Sequence, residues 1–277
     1  MLAPKFNQFR FIFVDVEELD ITNAGEVAGF FSQHTFFACI NCAAYTAVDR
    51  AESQPAIAAK VNVDGVRNLA VGCSSQGIPI LQLSTDYVYH NSQNVPFKEG
   101  GPTDPKGVYA QTKLDGDKIA LANGGMVIRT SWVYSSFGNN FVKTMLRLGN
   151  ERKEIGVLFD QIGTPTYARD LALAMLTILE KYRNQEIKAG AMTGVYHYSN
   201  EGVTSWFDFA KAIFELKKMK VKVLPIETKD YPTPAQRPPF SVLNKNKIKA
   251  VFKLEIPYWR DSLKACLHKM VGERKSD

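Results

Sequence analysis

Ile78-Pro79-Ile80-Leu81-Gln82-Leu83 is a short apolar run that ends in Ser84-Thr85-Asp86-Tyr87, and Val108-Tyr109-Ala110-Gln111-Thr112-Lys113 follows after one loop. The apolar run is typical of a buried strand, and the second stretch indicates a helix. On a helix, Tyr109 and Lys113 stand four residues apart and share one face. The sequence therefore predicts a strand and a following helix that bring a hydroxyl, a phenol and an ammonium to one edge of a sheet.

The same alternation extends outward in both directions. Further strands are predicted at 9–14, 36–42, 126–129, 155–159, 194–198 and 221–225. Helices are predicted from a cap at Thr22 or Asn23 to about 32, and at 49–76 (with a break near Pro55 and a stop at Gly77), 141–152, 169–182, 205–219 and 258–270. Short strands that alternate with helices predict an α/β fold with a doubly wound, parallel, Rossmann-like sheet.

The change of pattern after residue 198 predicts a second, smaller unit. We expect residues 1–150 and 167–198 to form a dinucleotide-binding domain, and residues 151–166 and 199–277 to form a C-terminal α/β substrate-binding lobe. The proline-rich loop at 231–239 belongs to that lobe.

Composition narrows the class of protein. The 277 residues carry a net charge of +6 that is spread along the chain, which favours a solvated surface over nucleic-acid binding. No apolar run approaches the roughly 20 residues of a membrane span, and four sparse cysteines suit a reducing, cytoplasmic location. Cys39 and Cys42 form a C-x-x-C motif within a predicted strand, where they would point to opposite faces, so no metal site is expected.

Thr85, Tyr109 and Lys113 together suggest carbonyl reduction. A hydroxyl can hold a carbonyl oxygen, a phenol can donate the proton, and a nearby lysine can lower the pKa of the phenol and bind ribose hydroxyls. The Tyr-x-x-x-Lys spacing alone is weak evidence, since chance places about one tyrosine four residues before a basic residue in this composition. The structural alternative is a packing role for Tyr109 and a solvated helix charge for Lys113.

Seven segments of the sequence are similar to the extended short-chain dehydrogenase/reductases and, within them, to the dTDP-4-dehydrorhamnose reductases. They are Asn41-Cys42-Ala43-Ala44-Tyr45-Thr46-Ala47-Val48-Asp49, Ser84-Thr85-Asp86-Tyr87-Val88-Tyr89, Tyr109 to Lys113, Arg129-Thr130-Ser131-Trp132-Val133-Tyr134, Gly138-Asn139-Asn140-Phe141, Asp160-Gln161 to Pro165-Thr166, and Tyr231-Pro232-Thr233-Pro234-Ala235-Gln236-Arg237-Pro238. They cover nearly the full length.

The resemblance implies an oxidoreductase of dTDP-rhamnose and polysaccharide biosynthesis that uses NADPH or NADH to reduce the 4-keto group of a dTDP-sugar. It implies three sets of site residues. The catalytic set is Thr85, Tyr109 and Lys113; the cofactor-binding set is Asp15, Asp20, Ile21, Ala43, Ala44, Tyr45 and Lys113; the substrate-binding set is Thr85, Asp86, Tyr87, Trp132 and Arg237. For Asp15, at the predicted tip of strand 9–14, a ribose contact and an ordinary capping role are equally supported. The alternative for Arg237 is a surface arginine held by neighbouring prolines.

One family feature is missing. The family begins with a strand and a Gly-x-x-Gly-x-x-Gly turn that holds the cofactor's pyrophosphate, and this sequence has no such spacing of glycines. We therefore expect a dinucleotide-binding domain that is truncated at its N-terminus and binds cofactor weakly or not at all. This leaves open a second hypothesis, a noncatalytic binding subunit with the same fold, like the regulatory-subunit relatives of methionine adenosyltransferase. The oligomeric state is also open, with a homodimer as one option.

Overall fold

The computed structural model describes residues 3–272 of the chain. Within that range the strands are β1 (Cys39–Asn41), β2 (Ile80–Thr85), β3 (Met126–Thr130), β4 (Val133–Tyr134), β5 (Glu154–Leu158), β6 (Ile162–Gly163), β7 (Thr166–Tyr167), β8 (Gly194–His197), β9 (Thr204–Ser205) and β10 (Lys222–Ile226). The α-helices are α1 (Ala24–Gln33), α2 (Val48–Ala51), α3 (Pro55–Ala59), α4 (Val66–Gln76), α5 (Val108–Ala122), α6 (Phe141–Glu151), α7 (Ala168–Arg183), α8 (Trp206–Leu216), α9 (Asn246–Phe252) and α10 (Trp259–Gly272).

The main sheet has four parallel strands in the order β1-β2-β3-β8. Successive side chains of a strand point to opposite faces, so Leu81 and Ile128 join the core formed with α7 and α9, while Val127 packs with residues of α4 and α5 on the other side. Helices therefore cover both faces of the sheet. The prediction of a parallel, Rossmann-like α/β fold is confirmed.

The segment predicted as one helix at 49–76 is broken in the way that its sequence suggests. Pro55 stands at the start of α3, where a missing N–H costs no hydrogen bond. A π-helical turn (Lys60–Gly65) joins α3 to α4, and Gly77 ends α4 with φ of +65°. The interrupted segment wraps around α5, the helix that carries Tyr109.

The prediction of a strand at 9–14 is wrong. In the structure this segment is irregular, and Phe13 is 81% exposed. A strand needs a hydrogen-bonded neighbour, and within residues 3–272 the edge of β1 opposite β2 pairs with no other strand. Instead, Phe9 stacks on Phe37 with ring centroids 5.7 Å apart, and Phe11 stacks on Phe13.

A second core lies in the later part of the chain. β5 and β10 form a parallel pair that packs against α8, and buried residues of α6 and α10 complete the cluster. Helix α9 was not predicted; it packs on the main sheet through Ile248 and Phe252. The domain boundaries remain a prediction. Within residues 3–272, no helix is long and apolar enough to cross a membrane.

Candidate active site

The site lies at the carboxyl edge of the main sheet, where β2 ends in Thr85. Thr85 is paired in register with Thr130 at the end of β3, and ligands of open α/β sheets bind beyond these strand ends. The Thr85 hydroxyl donates a hydrogen bond to Asp86 (3.2 Å) and accepts one from the Tyr87 N–H (3.2 Å). Thr85 is thus held by its own turn, directly beside the site.

Tyr109, in the first turn of α5, meets Thr85 across the edge. Its ring packs edge-on against Tyr87 with centroids 5.6 Å apart, and its phenol lies near enough to the Thr85 side chain for that group to affect its pKa. Burial raises the pKa of Tyr109 to about 12, against the opposing hydrogen bond from Thr85. Lys113, which the sequence suggested as a group that lowers this pKa, is not among the groups that oppose the rise. The phenol is protonated at neutral pH, as a proton donor must be.

Lys113 follows one helical turn later and is 5% exposed. Its Nζ donates a hydrogen bond to the Leu83 carbonyl (2.8 Å). Burial lowers the pKa of Lys113, and the negative charge of Asp117 is the first of the groups that oppose the shift. Asp117 in turn accepts a hydrogen bond from Arg129 Nε at 3.0 Å. Asp117 was not predicted as a site residue, although its spacing of four from Lys113 on the same helix was a usable signal.

Asp86 is the buried acid of the site. Burial raises the pKa of its carboxyl to about 6, against hydrogen bonds from Ser241 and Thr85. Ser241 lies in the later part of the chain, so Asp86 joins the sheet edge to the segment that follows the proline-rich loop.

The predicted cofactor residues fall into two groups. Ala43 is exposed directly after β1 and Ala44 and Tyr45 are partly buried, and the Ala43 N–H is fixed by the Asn41 side chain (3.0 Å). Roles for these residues and Lys113 in cofactor binding remain predictions. No glycine-rich turn stands within residues 3–272 to hold the pyrophosphate.

Asp15, Asp20 and Ile21 form the other group. Since strand 9–14 is absent, Asp15 is not at a strand tip; it lies in an exposed turn, where its carboxylate accepts the N–H of Val16. Asp20 accepts the N–H of Thr22, and Ile21 packs against Gly65. Roles for all three in cofactor binding remain predictions.

Trp132 lies just beyond the end of β3, in a left-handed conformation (φ +47°) that is rare for a bulky residue. Its ring stacks on that of Trp206 at 3.6 Å with an interplanar angle of 9°. Both rings are partly exposed. Trp206 was missed by the sequence analysis, because nothing local links it to a segment 74 positions earlier.

Arg237 is held by Asp49 of α2. Its Nη1 and Nη2 donate to the two carboxylate oxygens at 3.0 and 2.7 Å, and Nη1 also donates to Thr233 and to the Ala235 carbonyl. The hydrogen bond with Arg237 keeps the pKa of Asp49 below its usual value. None of the hydrogen bonds described for Arg237 uses its Nε, and its role in substrate binding remains a prediction.

Comparisons with known proteins show the family of the chain. The model of the family described as RmlD substrate binding domain matches residues 3–271. A dTDP-4-dehydrorhamnose reductase from Sinorhizobium fredii is 40% identical over 85% of this chain and 81% of its own length. One from Aggregatibacter actinomycetemcomitans is 39% identical over 93% and 89%.

A solved structure shares the fold as well. It is the dTDP-4-dehydrorhamnose reductase from Bacillus anthracis in complex with NADP, which is 36% identical, covers 95% of this chain and 91% of its own, and superposes with a TM-score of 0.89.

Proposed function

The chain belongs to the RmlD substrate binding domain family, and we propose that it is a dTDP-4-dehydrorhamnose reductase that reduces the 4-keto group of dTDP-6-deoxy-L-lyxo-4-hexulose to give dTDP-L-rhamnose. The observation that carries the proposal is the meeting of the Tyr109 phenol with the Thr85 side chain, one helical turn from Lys113, at the carboxyl edge of the sheet. Relatives at 39–40% identity carry the same enzyme name.

The residues of the site divide the reaction between them. Thr85 holds the ketone oxygen by a hydrogen bond, and Tyr109 gives its proton to that oxygen as the new C–H bond forms at C4. When bound, NADPH or NADH supplies the hydride for that carbon. Lys113 lies where it can hold the ribose hydroxyls and compensate the charge left on Tyr109.

Substrate recognition is assigned to groups from both parts of the chain. Asp86 and Tyr87 lie beside the sugar, and Trp132, stacked on Trp206, offers an indole surface to it. Arg237 presents its Nε edge to the diphosphate of the nucleotide, for which a planar fork of donors is suited.

Turnover of the keto sugar is the direct test. The chain should oxidise NADPH or NADH in the presence of the dTDP-keto sugar, measured as loss of absorbance at the nicotinamide band. Absence of oxidation with either cofactor, at saturating keto sugar and with the cofactor shown by titration to be bound, would contradict the proposal.

Replacement of Tyr109 by Phe tests the proton donor. Tyr109→Phe should lower kcat by roughly 10²-fold or more, because the donor is lost while the ring that packs on Tyr87 remains. Tyr196→Phe is the matched control. Tyr196 lies on β8, and its hydroxyl donates to the Ala191 carbonyl before that strand, away from the sheet edge, so turnover by this variant should match that of the natural chain. Equal turnover of Tyr109→Phe and the control would remove Tyr109 from the mechanism.

The cellular compartment and the oligomeric state of the chain are also part of the proposal. All four cysteines are free thiols, which supports a reducing compartment such as the cytoplasm. A homodimer remains a prediction, which light scattering on the purified chain can check.

A further inference from the structure

A short acidic turn connects the catalytic helix to the proline-rich loop. We define the acidic turn as residues 48–52, which are α2 (Val48–Ala51) and the residue that follows it, Glu52. It carries two acids, Asp49 and Glu52, three positions apart and therefore on one side of the turn. Each acid holds a different part of the site.

Glu52 caps α5 from outside that helix. The residue before α5 is Gly107, which has no side chain to serve as a cap, and the first turn of α5 holds no acidic residue. Glu52 Oε1 accepts the Val108 N–H at 2.8 Å and lies so close to Gly107 that a Cβ there would approach it to 2.5 Å. A carboxylate at a helix N-terminus satisfies an unpaired N–H and interacts favourably with the helix dipole. Because Val108 directly precedes Tyr109, this contact fixes the turn that carries the phenol.

Asp49 holds the proline-rich loop at the same time. Besides the paired hydrogen bonds from Arg237, its Oδ1 accepts the Ala235 N–H at 3.2 Å. The loop is therefore fixed to the acidic turn through both a side chain and its backbone. The Nε edge of Arg237 remains for a nucleoside diphosphate.

We propose that the acidic turn couples binding of a nucleoside diphosphate at Arg237 to the placement of Tyr109, with Asp49 as the positioning residue for Arg237 and Glu52 as the positioning residue for Tyr109. The proposal rests on the assignment of a nucleotide-linked substrate. A diphosphate on the free edge of Arg237 restrains the guanidinium, the guanidinium restrains Asp49, and the turn transmits that restraint through Glu52 to the first turn of α5. Binding of the substrate then also fixes the position of the proton donor, Tyr109.

Hydrogen exchange measured by mass spectrometry tests the capping contact on the full chain without ligand. In Glu52→Ala, exchange in the peptide covering 107–112 should become about tenfold faster, because the Val108 N–H loses its acceptor. Glu52→Gln keeps an acceptor oxygen and should restore most of the protection. Asp115→Asn is the control: it removes an exposed acid on α5 that bonds only Gln111 and Lys118, and it should leave this peptide unchanged. Unaltered exchange in Glu52→Ala would overturn the role of Glu52.

Addition of dTDP tests the coupling. In the natural chain, saturating dTDP should slow exchange in the peptide 107–112, whereas Asp49→Ala and Glu52→Ala should still bind dTDP, as measured by calorimetry, yet lose this response. A response retained in Asp49→Ala, or binding to the natural chain without any response, would overturn the coupling. Failure of the natural chain to bind dTDP would instead count against the nucleotide-linked substrate.

Steady-state kinetics separate positioning from general damage. Glu52→Ala should lower kcat about tenfold with KM for the keto sugar changed less than twofold, since the proton donor is misplaced in the bound state. Asp49→Ala should also lower kcat, because bound substrate no longer restrains Tyr109 through the turn. A fall in kcat that Glu52→Gln does not rescue would contradict the proposal.

Discussion

Arg129 and Asp117 form a buried ion pair beneath Lys113. The site depends on this pair, although neither residue takes part in the reaction. Arg129 and Asp117 are 4% and 1% exposed in their side chains, and their contact is 3.0 Å long. Arg129 also donates to the Tyr89 hydroxyl at 2.7 Å, which lies 2.8 Å from His197 Nε2. Loss of one partner from such a buried pair leaves the other charge without compensation.

We expect Asp117→Ala to lower the free energy of unfolding by about 3–5 kcal/mol, because it leaves the Arg129 charge buried and unpaired. The double variant Asp117→Leu/Arg129→Met should lose less than either single change, since it leaves neither charge of the pair without its partner. Chemical denaturation of each variant measures both effects. Asp115→Ala, an exposed acid two positions earlier on α5, is the control and should change stability by less than about 1 kcal/mol.

The residues that could be predicted from the sequence rest on patterns that are local along the chain, whereas those that could not be predicted contact residues far away in the sequence. Thr85, Tyr109 and Lys113 were found because strand ends and helix spacing are local. Glu52 and Asp49 were not assigned these contacts, because their partners Val108 and Arg237 stand 56 and 188 positions away. Only the fold brings such pairs together.

At the level of elements, α5 packs closely against the π-helical turn because Gly116 has no side chain. A Cβ there would collide with the backbone carbonyl of Asn62 in the π-helical turn. The same Asn62 donates through its amide to Thr112 of α5 at 3.1 Å. The helix that carries Tyr109 and Lys113 therefore lies directly against the backbone of its neighbour.

Two Gly→Ala substitutions should have opposite effects. Gly116→Ala should destabilise the chain by about 1–3 kcal/mol, as expected for overpacking against an atom that cannot move aside. Gly29→Ala, inside α1 with nothing within 4 Å of the new Cβ, should stabilise it by roughly 0.5–1 kcal/mol through helix propensity. Thermal unfolding of both variants gives the comparison, and a stabilising Gly116→Ala would show that the contact with Asn62 relaxes.

Elements were predictable where the chain alone determines them. Residues 126–129 were predicted as a strand and form β3, because an apolar run between two pairing neighbours has few alternatives. Residues 9–14 are just as apolar, yet a strand also requires a partner, which hydrophobic pattern does not encode. Helix α9 was missed because its seven residues make fewer than two turns, which is too short for a hydrophobic period to be recognised.

On the scale of the whole molecule, the site is assembled from two parts of the chain that meet over Asp86. This carboxyl accepts a hydrogen bond from Thr85 at the sheet edge (3.2 Å), and the Ser241 side chain of the later segment opposes the rise in its pKa. Its raised pKa, about 6, means that the folded chain binds its proton more tightly than the unfolded chain, whose reference value is 3.8. Stability from this group is fully present below pH 3.8 and is lost as pH rises through 6.

Asp86→Asn removes that pH dependence while keeping the size of the side chain. The stability of the variant relative to the natural chain should therefore increase by about 2 kcal/mol between pH 4 and pH 8, as follows from the two pKa values. His197, whose pKa burial lowers to about 3, lowers stability as pH falls below 6.5 in both proteins, so the difference between them isolates Asp86. Urea unfolding across this range measures it. A difference that stays constant with pH would mean that Asp86 ionises in the folded chain as readily as in water, and that burial at the junction of the two parts does not control its charge.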